Sequence, residues 1–318
     1  MRLEEYNRDK HLIHWEAFVA TAPMATFLHS RAFLSYHGDR FRDRSLMVYD
    51  HDSLVAIFVA AESADDTRII VSHPGITYGG LLHQGMVGGN VIVEIFQAII
   101  SHYKKQGYAG IIYKAIPSFY HQIPCEEDVW ALSKLGFENI RTDLGRTISL
   151  TAPLVWGDKR QRGLVKSRKA GVTVSHGWEN AEALWNITAD NLSRKHGLTP
   201  VHTLNEIRLL HDLCPDNLDW IVARLGEEAV AGAMLFLTPT VVHVQYGSSS
   251  ARGYELDALE MVYYKAIEYA QGLGKKYFSF GISTEQEGRI LNESLDRFKK
   301  KFSAGGACSQ SYSLDFLK

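Results

Sequence analysis

Residues 241–304 constrain the fold of this chain more than any other stretch. Val241 to Tyr246 is a short apolar run suited to a buried strand, Gly247 to Gly253 reads as a Ser/Gly loop, and Leu256 to Leu273 as an amphipathic helix. Within that helix Leu259, Val262, Ala266, Tyr269 and Leu273 recur at i+3/i+4 spacing, which puts them on one face. Gly274 follows as a left-handed C-cap, then a second buried strand, Tyr277 to Gly281. A last helix carries Leu291, Leu295, Phe298 and Phe302 on one side. A strand–loop–helix–strand–helix unit of this kind takes ligands where the strand ends and the helix begins.

The same order occurs in the first half. Ser45 to Tyr49 and Leu54 to Ala61 read as a strand pair around the turn Asp50-His51-Asp52, and Arg68 to Ser72 as a third strand. The helix Val91 to Lys105 ends at Gly107, and the strand Tyr108 to Lys114 follows. With Gly107 laid on Gly274, Ile92 falls on Leu259, Ile95 on Val262, Phe96 on Tyr263, Ile100 on Ile267 and Ile111 on Phe278. Two copies of one mixed α/β (α+β) fold are therefore expected head to tail, residues 1–152 and 153–318. The segments 11–21, 28–40, 126–135, 180–196 and 204–214 read as helices, and 139–142 with 146–150 as two closing strands. Strands 219–225 and 229–237 lead into Val241, and Tyr312, Leu314 and Phe316 alternate as a final strand returning to a sheet.

A chain of 318 residues with 46% hydrophobic and 22% charged residues has the composition of a soluble globular protein with sizeable cores. The net charge of -2 gives no global sign of nucleic-acid binding. Any polyanion contact must come from a local patch. The densest is Trp156 to Thr173, with Lys159, Arg160, Arg162, Lys166, Arg168 and Lys169, where a solvated helix face is the plainer reading. Cys125, Cys214 and Cys308 have neither metal-ligand nor redox spacing, so no metal site is expected and a reducing compartment is. The N-terminus lacks a signal-peptide core, and no apolar run approaches the roughly 20 residues that span a bilayer, so a cytoplasmic protein is expected, free or peripheral at the inner membrane face.

Three motifs carry a family likeness. Phe280-Gly281-Ile282-Ser283, followed by Leu291-Asn292-x-x-Leu295-x-x-Phe298-Lys299-x-x-Phe302, is similar to the strand end and Phe-Lys helix of the FemABX family, the peptidoglycan-bridge aminoacyltransferases built as tandem GNAT domains. Pro74 with Tyr78-Gly79-Gly80 resembles that family's Gly/Pro loop in the first copy, and Leu135-Gly136-Phe137 its Leu-Gly-Phe turn. The resemblance implies two tandem GNAT (acyl-CoA N-acyltransferase-like) domains, with the acceptor on the first and the donor on the second. It implies transfer of an acyl or aminoacyl group to an amine of a cell-wall or surface-polysaccharide precursor, nucleotide- or lipid-linked. No tightly bound cofactor is implied; the donor would be aminoacyl-tRNA or acyl-CoA, which makes tRNA a candidate partner. Other readings are a CoA-dependent N-acyltransferase on an amino sugar, and a non-catalytic duplicated fold that binds a nucleotide-sugar or a protein.

The chain also departs from the pattern. Ala251-Arg252-Gly253-Tyr254-Glu255 stands where GNAT enzymes have Gln/Arg-x-x-Gly-x-Gly/Ala, and the glycines of Gln84 to Gly89 are one place out of register. Fewer N–H groups then converge on a diphosphate, which fits a bulkier donor. Ser303 replaces the family's usual Gly, and the second half carries no long helical hairpin.

Acyl transfer to an amine needs positioning and oxyanion donors rather than a nucleophile, and no Gly-x-Ser-x-Gly is present. By the resemblance Lys299 is the leading catalytic residue, its ammonium serving an oxyanion or phosphate; the plainer reading is a basic face continued by Lys300 and Lys301. Tyr246, at a strand end, is a carbonyl donor or core. Glu285, just after Gly281, is a general base or a solvated loop residue. His73 and His243 are bases or structural histidines. Tyr78 and Lys114 are expected to line the acceptor cleft, Lys114 as a charge ending an apolar strand. Arg194, Lys195 and Arg168 are candidates for the acceptor's phosphates, although cations at a helix C-terminus also complement its dipole. Arg252, Gly253 and Phe298 are assigned to the donor.

Overall fold

The computed structural model describes residues 1–197, 200 and 202–317, with the side chains of Lys159, Lys195 and His196 left aside. The chain divides into two compact units: Met1–Asp143 with Gln286–Arg289 and Cys308–Lys318, and Leu144–Glu285 with Ile290–Ala307.

The first unit begins with strand β1 (Arg2–Glu5) and helix α1 (Arg8–Thr21), whose N-cap Asn7 accepts a hydrogen bond from the Lys10 amide. The expected helix 28–40 is broken. Only α2 (Arg31–Ser35) is α-helical, started by the Ser30 cap, and Gly38 takes a left-handed φ of 54° in the short turn after it. Strands β2 (Leu46–Asp50) and β3 (Ser53–Phe58) pair antiparallel, with β1 and β6 (Leu81–His83) completing the order β1–β2–β3–β6. Neither β1 nor β6 is visible in the sequence. β1 is a charged edge strand with only Leu3 to mark it, and β6 is three residues inside a Gly-rich segment.

A second sheet runs β4 (Ala61–Glu62), β5 (Ile69–Val71), β7 (Gly110–Lys114) and β16 (Gly305–Asp315). β5 and β7 are parallel, and helix α3 (Gly89–Lys105) precedes β7. Ile92, Ile95, Phe96, Ile99 and Tyr103 of α3 enter the core beside Ile111 and Tyr113. β16 pairs antiparallel with β7, Ser311 opposite Lys114 and Leu314 opposite Ile111, and Tyr312, Leu314 and Phe316 pack on this core. Helix α4 (Glu127–Lys134) leads into β8 (Glu138–Ser149), one strand rather than the expected two. Gly145 does not break it; a Cβ there would lie 3.2 Å from the Gly281 carbonyl oxygen, so glycine serves close approach.

In the second unit helix α5 (Asp158–Lys169) is shorter than the basic run, because its last residues pass into strand β9 (Val172–His176). Helix α6 (Ala181–His196) ends on Gly197 at φ 63°, and α7 (Leu204–Leu213) starts with a Thr203/Glu206 capping box. Strands β10 (Leu218–Leu225), β11 (Glu228–Leu237) and β12 (Val241–Ser249) form a meander. The expected loop 247–253 is mostly structured. β12 runs to Ser249, and Ser250 caps a single helical turn, α8 (Ala251–Glu255). Helix α9 (Ala258–Gly272), the turn at Gly274 (φ 66°) and β13 (Tyr277–Ile282) follow, then the small hairpin β14 (Thr284–Glu285) and β15 (Ile290–Leu291), and helix α10 (Glu293–Lys300) capped by Asn292. The sheet order in this unit is β8–β13–β12–β11–β10–β9. Val262, Ala266, Ile267 and Ala270 of α9 pack on it with Phe278, Phe280 and Phe302.

Each unit thus sets a helix between two parallel strands, β5–β7 in the first and β12–β13 in the second. The chain is a duplicated mixed α/β fold.

Candidate active site

In the second unit β12 and β13 are paired only at Val241↔Tyr277, Val242↔Phe278 and His243↔Ser279. β12 then runs on for six more residues, and it carries a bulge. Val244 faces Leu235 and Tyr246 faces Met234, so Gln245 is an extra residue. Among the described residues the β13 side of β12 therefore loses its ladder from Val244 onward. Main-chain N–H groups of this kind, outside the β12–β13 ladder, are the type of donor that an oxyanion needs. β13 turns aside at Gly281, whose φ is 71° and whose Cβ, if present, would lie 3.3 Å from the His243 ring.

Lys299 of α10 closes this corner. It is 7% exposed, and its ammonium donates to the carbonyl oxygens of Ile282 (2.5 Å) and Gly281 (3.3 Å). An ammonium has three N–H groups, so one is left for a further acceptor. Burial pulls its pKa down from 10.5 to about 8, and the Asp296 carboxylate works against that shift. His243 shares a 3.3 Å hydrogen bond with Ser279, and burial, helped by Lys299, lowers its pKa to about 4, so at neutral pH it is an uncharged ring. The helix itself is anchored from β8: Arg146 grips Asp296 with Nε on Oδ1 and Nη2 on Oδ2, both 2.6 Å. Neither residue stood out in the sequence. Asp296 had a usable signal, its i,i+3 position before Lys299; the Arg146 pairing spans 150 positions and has none.

The other assigned residues fall into separate places. Phe298 packs on the core, with the Arg160 guanidinium 4.4 Å above its ring. Glu285 is exposed and accepts 2.6 Å from Asn292 Nδ2, which ties the hairpin to the start of α10. Tyr246 lies against Trp185 and shares a short hydrogen bond with His202. Arg252 pairs with Glu255 at 2.7 Å, and Arg194 with Asp190 at 2.8 Å, both exposed. Arg168 is exposed with its guanidinium over Tyr264. The side chain of Lys195 lies outside the described residues. Gly253 is buried; its N–H goes to Ser250 Oγ (3.1 Å), and a Cβ would lie 2.0 Å from the Val230 carbonyl. At α9 the N-terminal turn is already served by carboxylates: Asp257 pairs with Lys166 at 3.2 Å, and Glu260 with Arg160.

In the first unit Tyr78 is 3% exposed, donates 3.2 Å to Thr26 Oγ1 and packs on Tyr120. The Lys114 ammonium is bound to the carbonyl oxygens of His73 (3.3 Å) and Ile76, and burial lowers its pKa to about 8. His73 packs on His37, and burial lowers its pKa to about 3. Among the described residues no helix is long and apolar enough to cross a membrane, and no three His, Cys, Asp or Glu side chains are grouped to hold a metal.

Residues 158–300 match the family model described as an acetyltransferase (GNAT) domain. The fold is similar to that of FemX, with a TM-score of 0.71 and 12% identity over 99% of this chain and 98% of that one. It is also similar to L-PGS from Bacillus licheniformis (TM-score 0.62, 16% identity, 97% and 92% covered). A tandem GNAT protein from the clavulanic acid biosynthesis pathway gives a TM-score of 0.55 at 9% identity, with 99% and 98% covered. No curated protein matches the chain in sequence. The matched segment takes in α5 through α10, including Lys299, and the chain as a whole carries the mixed α/β, tandem GNAT acyltransferase fold of FemX-like proteins.

Proposed function

We propose that this protein is an acyltransferase of the FemABX/GNAT type that moves an aminoacyl or acyl group onto an amine of a cell-wall or surface-polysaccharide precursor. The observation that carries the reading is the buried Lys299 ammonium at the corner where β12 and β13 part, with one N–H left for an incoming oxygen. The acyl group lies in the gap, its carbonyl oxygen polarised by the open edge of β12 and by Lys299, while the acceptor amine attacks. The collapse of the tetrahedral intermediate expels the donor's oxygen or sulfur, and the amine proton leaves to solvent.

The donor is aminoacyl-tRNA in this reading, with acyl-CoA as the second choice. Support comes from the α9 N-terminus, where Asp257 and Glu260 occupy the positive end of the helix dipole and Gly253 spends its N–H on Ser250. A diphosphate there would meet carboxylates. The acceptor lies on the first unit, and the protein works in the cytoplasm.

A thermal-shift screen with CoA thioesters, aminoacyl-tRNA and UDP-linked amino sugars tests this. Strong stabilisation by aminoacyl-tRNA is expected, and stabilisation by CoA thioesters alone would favour the amino-sugar N-acyltransferase instead. Lys299→Ala should abolish transfer and cost about 1–3 kcal/mol of stability, because the carbonyls of Gly281 and Ile282 lose a charged donor; full turnover by that variant would remove the site assignment.

A further inference from the structure

Lys299 and Asp296 are three residues apart on α10, a spacing at which side chains are neighbours. A buried ammonium next to a carboxylate ordinarily pairs with it. Here it does not. Asp296 gives both oxygens to the Arg146 fork, in side chains only 15% and 11% exposed, and Lys299 goes to two main-chain carbonyls. The charge that acts on Lys299 is Asp296, with the neutral His243 facing it from β12; Lys300 of α10 and Arg146 of β8 act on Asp296.

We propose that Arg146 is a positioning residue for Lys299: by taking both oxygens of Asp296 it stops the carboxylate from capturing the ammonium, which stays on Gly281 and Ile282 facing the gap between β12 and β13. Planar, bidentate recognition suits this task because it uses up the carboxylate in two directions at once. With Arg146 gone, the buried Asp296 loses its counter-charge, and the cations left beside it are Lys300 and Lys299 of its own helix, of which Lys299 is the buried one. The ammonium would swing along its own helix and leave β13.

The inference rests on the role given to Lys299 above, but it is tested without any substrate. Lysine carrying 13C at Cε is incorporated into the full chain, the Lys299 resonance is assigned with Lys299→Arg, and its titration is followed. Arg146→Gln should raise the Lys299 midpoint by about one unit, as a close carboxylate does to a cation. Asp296→Asn should lower it. Arg146→Lys, which keeps the charge, should fall between wild type and Arg146→Gln. Loss of charge alone would also move Arg146→Gln and Asp296→Asn in opposite directions, so the charge-keeping Arg146→Lys decides: a midpoint equal to wild type means that only charge counts and overturns the proposal. If Arg146→Gln does not fold, the double variant Arg146→Gln/Asp296→Asn removes the pair without an orphaned charge; it should show the lowered midpoint, and a raised one would be fatal. An Arg146→Lys midpoint between wild type and Arg146→Gln, together with full turnover by Lys299→Ala, would overturn the catalytic reading and leave this one standing.

Discussion

After the parallel pair β5–β7, the first unit keeps bonding. The Ser72 amide reaches the Ile112 carbonyl at 2.9 Å, the Lys114 amide reaches Ser72 Oγ at 2.7 Å, and the Gly79 amide reaches the Lys114 carbonyl at 3.2 Å. The Lys114 ammonium then ties down His73 and Ile76. After the matching pair β12–β13, the second unit lets go: the ladder stops at His243, a bulge follows, and Lys299 holds only the turned end of β13. Both corners carry a buried ammonium with its pKa brought down to about 8 and with two carbonyl partners. In one the strands are stitched shut, in the other they stay parted. Duplication supplied the frame twice, and a few main-chain bonds set the two copies apart.

The widest expected separation is between the two lysines. Lys299→Met should lower turnover by about a hundredfold or more, the usual effect of removing one oxyanion donor. Lys114→Met should cost about 1–3 kcal/mol of stability, since the carbonyls of His73 and Ile76 lose a charged donor, and change turnover little. Steady-state rates and urea melts on both variants check this. Equal rate losses would mean that the first corner also meets substrate.

Next comes pH. With the ammonium form active, the rate should fall about tenfold per unit above pH 8, and Lys299→Arg should lack that limb because guanidinium does not deprotonate. Stability has its own sign. The folded pKa of about 8 lies below the unfolded 10.5, so the unfolded chain binds the proton first and stability declines as pH falls from 10.5 to 8, then levels off. A flat rate profile from pH 7 to 9.5 would remove the ammonium from the mechanism.

Two glycines offer a smaller contrast. Gly281 (φ 71°) and Gly80 (φ 70°) share a left-handed backbone, but a Cβ at Gly80 would lie 2.9 Å from Ile116 and one at Gly281 3.3 Å from His243. Alanine should cost about 1–3 kcal/mol at each, more at Gly80, with a rate loss only at Gly281. The smallest effect is expected from Ser279→Ala, which removes one hydrogen bond of the His243 ring at a cost of about 1 kcal/mol in a denaturant melt. A larger loss would make that pair part of the corner's frame.

Much of this was legible beforehand. The period-3.6 stripes of α3 and α9 and the caps Gly107 and Gly274 gave the duplication, because helix faces and left-handed caps are local signals. The Phe-Lys pair singled out Lys299, whose burial against the end of β13 the sequence did not show. What escaped were features set by distant partners. No local pattern shows that Gly253 is needed for close approach to the Val230 carbonyl, or that β8 runs unbroken through residues 143–145 with Gly145 against the Gly281 carbonyl. Ser303, at φ 65° where glycine would be relaxed, is held by its hydroxyl between the amide and carbonyl of Val155, 148 positions earlier. The bulge at Gln245 and the Arg146–Asp296 fork likewise have no local pattern to betray them.

The pairing of β16 with β7 has a consequence for biosynthesis. β7 lies between β5 and β16, yet residues 311–315 leave the ribosome about two hundred residues after Gly110–Lys114. Throughout that interval the nascent first unit presents β7 as an uncovered strand edge, with Ile111 and Tyr113 at the heart of its core. A fragment ending at Asp143 should therefore aggregate, and adding residues 308–317 as a separate peptide should restore it to solution, read by light scattering.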